Sequence, residues 1–152
     1  MKIYFAAPLF NEAEKKFNQI LCDKLESCDF NVFLPQRDGV EKNDPPYNTM
    51  DKDERRKAMF ETDRDKILEC DIFLYVLDGR VPDEGASVEL GIAYTQKYIQ
   101  KNKRVIVGLH TDIRATFLGG KLNPMLKVPL EYIAENESDL IEFLCKYKKN
   151  EK

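Results

Sequence analysis

The chain has 152 residues, 43% of them apolar and 34% charged, and a formal net charge of −3, a size that suits one domain with a substantial core. The acidic balance, with an isoelectric point near 5.3, argues against a dedicated nucleic-acid or membrane-surface binder. No apolar run reaches the length of a transmembrane helix. Cys22, Cys28, Cys70 and Cys145 are scattered, without a CxxC pair, and His110 is the single histidine. A zinc site is therefore not expected. The opening residues show no signal-peptide pattern, so free thiols in a reducing cytoplasm are the simpler expectation.

Lys2 to Ala7 reads as a first strand, closed by Pro8. A helix follows from Asn11, with Ala13, Phe17, Ile20, Leu21 and Leu25 at helical spacing and Glu14 placed for a capping box with Asn11. Phe30 to Leu34 is a second strand. Arg37 to Met50 reads as a long loop, since Asn43-Asp44-Pro45-Pro46-Tyr47-Asn48 cannot be regular helix. Such a loop in a small domain is usually a lid, a binding loop or disordered. Asp51 opens a charged helix whose apolar stripe is Ala58, Met59, Ile67 and Leu68; its charged face fits plain solvation, with Asp63 kept as a candidate. That helix feeds the apolar strand Asp71 to Leu77.

The acidic corner Pro82-Asp83-Glu84-Gly85-Ala86-Ser87-Val88-Glu89-Leu90-Gly91 comes next and opens a helical pattern from about Glu84 to Gln100. In an open α/β sheet, ligands bind at such a strand-to-helix corner. Gly85 and Ala86 leave space for a ligand to approach the backbone. Asp83 and Glu84 also fit ordinary capping and dipole matching. Glu89 is different, because it lies between Val88 and Leu90 on a part of the helix that packs. A carboxylate there is costly without partners. The helix dipole is expected to keep it ionised, as a nucleophile or base would need.

Arg104 to Leu109 is a further strand, His110 to Asn123 a loop, and Val128 to Ala134 a possible edge strand. Ser138 to Lys149 is an amphipathic terminal helix, and a flexible tail is expected from about residue 147. The strand–helix alternation predicts an α/β fold, a doubly wound parallel sheet in a single domain over 1–152.

The landmarks in this order resemble the nucleoside 2-deoxyribosyltransferase family. They are Ile3-Tyr4-Phe5-Ala6-Ala7-Pro8-Leu9-Phe10, Asp63 with Asp71-Ile72, Asp83 with Glu89-Leu90-Gly91, and Leu122-Asn123-Pro124-Met125. The resemblance implies a flavodoxin-like five-stranded parallel sheet flanked by helices. It also implies transfer of a 2-deoxyribosyl group between nucleobases by double displacement, without a metal or organic cofactor. On that pattern Glu89 is the nucleophile, Tyr4 orients it, and Asp63 protonates the leaving base. Asp83 binds a sugar hydroxyl, Gln36 contacts the base, and Ala7 and Gly85 line the substrate. Asn123 reaches the sugar from a neighbouring subunit, which implies a homo-oligomer. Tyr94, Tyr98 and Ile99, at helical spacing, fit such an interface or the core. The aromatic C-terminal ending of some bacterial members is absent.

The chemistry supports the pairing independently. Breaking an N-glycosidic bond needs negative charge on one face of the sugar and a proton on the departing base. Two carboxyl groups of unlike pKa meet both needs. Two other readings remain. A 2-deoxynucleoside 5-monophosphate N-glycosidase shares the fold, but Asp83 would repel a phosphate. A non-catalytic nucleotide-sensing module could dispense with Tyr4, Asp63 or Glu89, and all three are present.

Overall fold

The computed structural model describes residues 1–112, 114 and 121–151. In chain order it contains β1 (Lys2–Ala6), α1 (Glu12–Ser27), β2 (Asn31–Phe33), α2 (Pro35–Asp38), a 3-10 turn (Tyr47–Thr49), α3 (Lys52–Glu69), β3 (Ile72–Val76) and α4 (Glu84–Gln100). After α4 come β4 (Val105–Leu109), α5 (Pro124–Lys127), β5 (Tyr132–Ala134) and α6 (Glu137–Asn150). The strands form one five-stranded sheet of order β2-β1-β3-β4-β5, parallel at every pairing. The strand order reverses at β1/β3, the place where ligands bind in doubly wound sheets.

Period-two alternation sorts the strand residues onto two cores. Ile3, Phe5, Ile72, Leu74, Val105 and Val107 pack against Leu21 and Leu25 of α1 and Leu140 and Leu144 of α6. Tyr4, Ala6, Phe73, Tyr75 and Ile106 face the other way, onto Ile67 of α3 and Leu90 and Ala93 of α4. Covering both faces explains why β3 and β4 are apolar throughout. It also places Tyr4 beneath the two helices that carry Asp63 and Glu89.

The helix starts follow their side chains. Asn11 with Glu14 and Asp51 with Glu54 form reciprocal capping boxes. Arg104 is buried, and its guanidinium donates to the carbonyls of Cys70 at 2.9 Å and Leu68 at 3.0 Å. A cation thus closes the carboxyl end of α3, where the helix dipole favours it.

Two expectations differ from what the chain does. The segment expected as a loop from Arg37 holds the last residues of α2 and the 3-10 turn. The segment from about 147, expected as a tail, is helical as far as Asn150, the end of α6. The Tyr147 hydroxyl donates to Lys103 O at 2.7 Å, and Lys148 Nζ donates to Asp29 O at 2.7 Å. The polar tips of Tyr147 and Lys148 thus find carbonyls at the ends of other elements.

Candidate active site

Tyr4 has no exposed surface, and its hydroxyl donates to Glu89 Oε1 at 2.7 Å. Its ring stacks between Phe33 and Phe73, with centroids 5.6 and 5.7 Å away. Burial, then the charges of Glu89 and Asp63, push the phenol well above its ordinary range. Tyr4 therefore keeps its proton and remains a donor to Glu89.

Glu89 lies in the second turn of α4, half-buried, with its carboxylate turned inward onto Tyr4. Burial raises its pKa to about 7, against the lowering effect of the Tyr4 hydrogen bond. The charges of Asp63 and Asp83 contribute smaller parts of that rise. This corrects the expectation that the helix start keeps Glu89 readily ionised, because desolvation and two neighbouring carboxylates outweigh the dipole. Asp63, projecting from α3, is raised to about 6 by burial. Tyr4, Asp63, Glu89 and Asp83 therefore form one electrostatic group, drawn from β1, α3 and the start of α4.

Asp83 is the N-cap of α4 and accepts the Ala86 amide at 2.8 Å through Oδ1. Its carbonyl accepts from the Tyr75 hydroxyl at 2.8 Å and the Ser87 hydroxyl at 2.7 Å. The cap occupies one carboxylate oxygen, and among the described residues the other accepts no hydrogen bond. Tyr75 and Ser87 were not singled out from the sequence. The available signal was spacing: Tyr75 follows Phe73 by two on the same strand face, and Ser87 lies one helical turn after Asp83. Gly85 has a local reason to be glycine, since a Cβ there would come within 3.2 Å of Asp83 Oδ1.

The other expected residues lie outside the group. Ala7 packs in the core on the α1/α6 face. Gln36 is tied to α1: its Oε1 accepts from Asn18 Nδ2 at 3.0 Å and its Nε2 donates to Lys15 O at 2.8 Å. One acceptor lone pair and one N–H of that amide are left over. Asn18, which the sequence reading passed over, is buried and also donates to Pro8 O at 2.9 Å. Its place beside Phe17 on the apolar stripe of α1 was the clue. Asn123 is exposed, caps α5 through the Met125 amide at 2.9 Å, and lines a cavity of about 590 Å³ with Leu77, Arg80 and Ser87. Among the described residues, no hydrogen bond joins Asn123 to Glu89, Asp63 or Tyr4.

Val88, Tyr94, Tyr98 and Ile99 leave the outer side of α4 exposed and apolar, beside exposed Met125 and Val128. A groove of about 620 Å³ separates α4 from α5. No helix among the described residues is long and apolar enough to cross a membrane.

A family model described as nucleoside 2-deoxyribosyltransferase matches residues 3–141. Among solved structures, a conserved protein from Enterococcus faecalis V583 is similar at 26% identity and a TM-score of 0.73, covering 97% of this chain and 98% of its own. A 2-deoxyribosyltransferase from the psychrotolerant bacterium Bacillus psychrosaccharolyticus shares the fold at a TM-score of 0.73 and 24% identity. That match covers 93% of this chain and 90% of the other. No curated protein matches the chain significantly.

Proposed function

The chain belongs to the nucleoside 2-deoxyribosyltransferase family, and from that premise we propose that it moves a 2-deoxyribosyl group between nucleobases through a glycosyl-Glu89 intermediate. The observation that carries this reading is the inward Glu89 carboxylate, held by the Tyr4 hydroxyl at 2.7 Å beside the charge of Asp63.

In the first half-reaction, Glu89 attacks the anomeric carbon as the N-glycosidic bond breaks. Asp63 donates its proton to the departing base. In the second, an incoming base loses a proton to Asp63, attacks the same carbon and releases Glu89. The reaction needs Asp63 protonated and Glu89 ionised at the outset. With Asp63 raised to about 6 and Glu89 to about 7, that form is the minor one of the singly protonated pair, most populated between those values. Tyr4 keeps its donor throughout and fixes which oxygen of Glu89 it holds.

Asp83 accepts the 5-hydroxyl of the sugar with its uncapped oxygen, and Gln36 offers its remaining donor and acceptor to the base. Gly85 and Ala7 form the backbone floor. Asn123 serves a neighbouring subunit, and the apolar outer face of α4 supplies a surface for the homo-oligomer. The substrates are nucleosides and free nucleobases, handled in cytoplasmic salvage, and the chemistry needs no cofactor.

The direct experiment incubates the protein with a deoxynucleoside and a different free base. The exchanged nucleoside is the expected product. Release of deoxyribose without exchange would instead identify a hydrolase.

A further inference from the structure

Parallel pairing sets Tyr4 opposite Phe33 on one side and Phe73 on the other. All three rings project from the sheet face covered by α3, with interplanar angles of 21° and 6° to Tyr4. A phenol stacked on both flanks cannot swing its hydroxyl across the strands without displacing a neighbouring ring. Glu89 belongs to a helix and Tyr4 to a strand, so their 2.7 Å hydrogen bond depends on where that ring is held.

The two flanks are unequal. Phe73 lies in the centre of the sheet with no exposed surface. Phe33 comes from the edge strand β2, is half-buried, and has the Lys66 ammonium 5.9 Å from its ring centroid. We infer that Phe33 is a positioning residue, which holds Tyr4 from the open edge of the sheet and thereby aims its hydroxyl at Glu89. Its effect on rate rests on the reading of Glu89 as the nucleophile; its effect on the Tyr4–Glu89 bond does not.

Removing the Phe33 ring frees one flank of Tyr4. Glu89 then loses part of the donor that favours its charged form, while Asp63 from α3 and Asp83 from the start of α4 continue to oppose that charge. Phe33→Leu should move Glu89 protonation to higher pH, above about 7. It should lower kcat about tenfold with little change in KM, as a small misplacement of a reacting group does. Phe33→Tyr keeps the ring and should behave as wild type.

The test is a carbon-13 titration of the Glu89 carboxyl in the unliganded protein, for wild type, Phe33→Leu, Phe33→Tyr and Tyr4→Phe. The expected midpoints rise from wild type and Phe33→Tyr through Phe33→Leu to Tyr4→Phe. Phe33→Met replaces Phe33→Leu if the latter does not fold. A folded Phe33→Leu or Phe33→Met protein with the wild-type midpoint overturns the inference. A raised midpoint in a protein whose Glu89→Ala variant still exchanges bases supports the inference and overturns the nucleophile reading.

Discussion

Tyr4 and Glu89 stand 85 positions apart in sequence, yet the phenol hydroxyl of one meets a carboxylate oxygen of the other at 2.7 Å. The contact joins the middle of the sheet to the second turn of α4. A strand tyrosine that pairs with a helix carboxylate, under two covering helices, makes a fixed donor, which the proposed mechanism uses for a charge that changes during the reaction.

Replacing Glu89 with alanine should abolish base exchange and leave the fold intact, since the proposed mechanism gives Asp63 and Asp83 other tasks and leaves no second nucleophile at the anomeric carbon. Incubation with a 2-fluoro-2-deoxy nucleoside should leave the sugar attached to Glu89. Mass spectrometry of the digested protein checks this. A label on Asp83 or Glu84 would count against the assignment.

The pH dependence of kcat/KM should be a narrow bell. The rate requires one carboxyl of the Asp63–Glu89 pair ionised and the other protonated, and the pair titrates at about 6 and about 7. Activity should rise as the first proton leaves and fall as the second leaves, with its maximum between those values. A profile that is flat from about pH 5 to about pH 8 contradicts the paired-carboxyl mechanism.

The same values have a stability consequence. Both carboxyls have folded-state pKa values raised above the ordinary carboxylate range. The folded protein therefore binds more protons than the unfolded chain between about pH 4 and about pH 7. The stabilisation is full below the unfolded values and is lost as pH rises through the folded ones. Glu89→Gln removes one ionisation and should be more stable than wild type at pH 7, by about 2–3 kcal/mol, with little difference at pH 4. Urea denaturation at the two pH values measures this. Equal pH slopes for the two proteins would show that Glu89 is not strained by its charge.

Discrimination against phosphate tests Asp83. A carboxylate that accepts the sugar 5-hydroxyl gains a charge-assisted hydrogen bond of about 1.5–3 kcal/mol. A 5-phosphate in the same place meets repulsion of about 4 kcal/mol per charge pair at roughly 4 Å, with an effective dielectric near 20. Wild type should favour deoxyadenosine over its 5-monophosphate on the order of a hundredfold or more. Asp83→Ser should narrow that gap. It also removes a carboxylate that raises the Glu89 pKa, so the limb that Glu89 sets should move to lower pH. A wild type that prefers the monophosphate would favour the hydrolase.

Mixing Glu89→Ala with Asn123→Ala protomers tests whether sites are shared. Neither parent should be fully active alone. If Asn123 serves a neighbour, some mixed sites contain both native groups, and activity partly returns. No recovery after exchange of subunits, or a fully active monomer, would confine the site to one chain.

Much of this architecture was written locally. Asn11 with Glu14, the apolar run of β3 and the residues Glu84 to Gln100 each carry their own signal. Caps and periodicity act over a few neighbours and need no knowledge of the rest of the chain. The acidic corner was legible for the same reason, since Asp83 and Glu89 share one short segment. The terminal helix was legible from its apolar side, but its docking was not: Tyr147 and Lys148 bind carbonyls of residues far away in sequence.

What only the tertiary structure decided is the charge state of the site and the identity of its supports. Glu89 lies near a helix start, which alone favours its ionised form. Burial and the approach of Asp63 from α3 reverse that preference, and burial depends on helices closing over a sheet. Phe33 and Phe73 flank Tyr4 only because β2 and β3 take their places on either side of β1. Asn18 reaches Gln36 where α1 meets α2, and Tyr75 reaches the Asp83 carbonyl across the corner between β3 and α4. Sequence periodicity assigns each residue to a face of its own element; which faces then meet, and how much water they exclude, is a property of the assembled sheet.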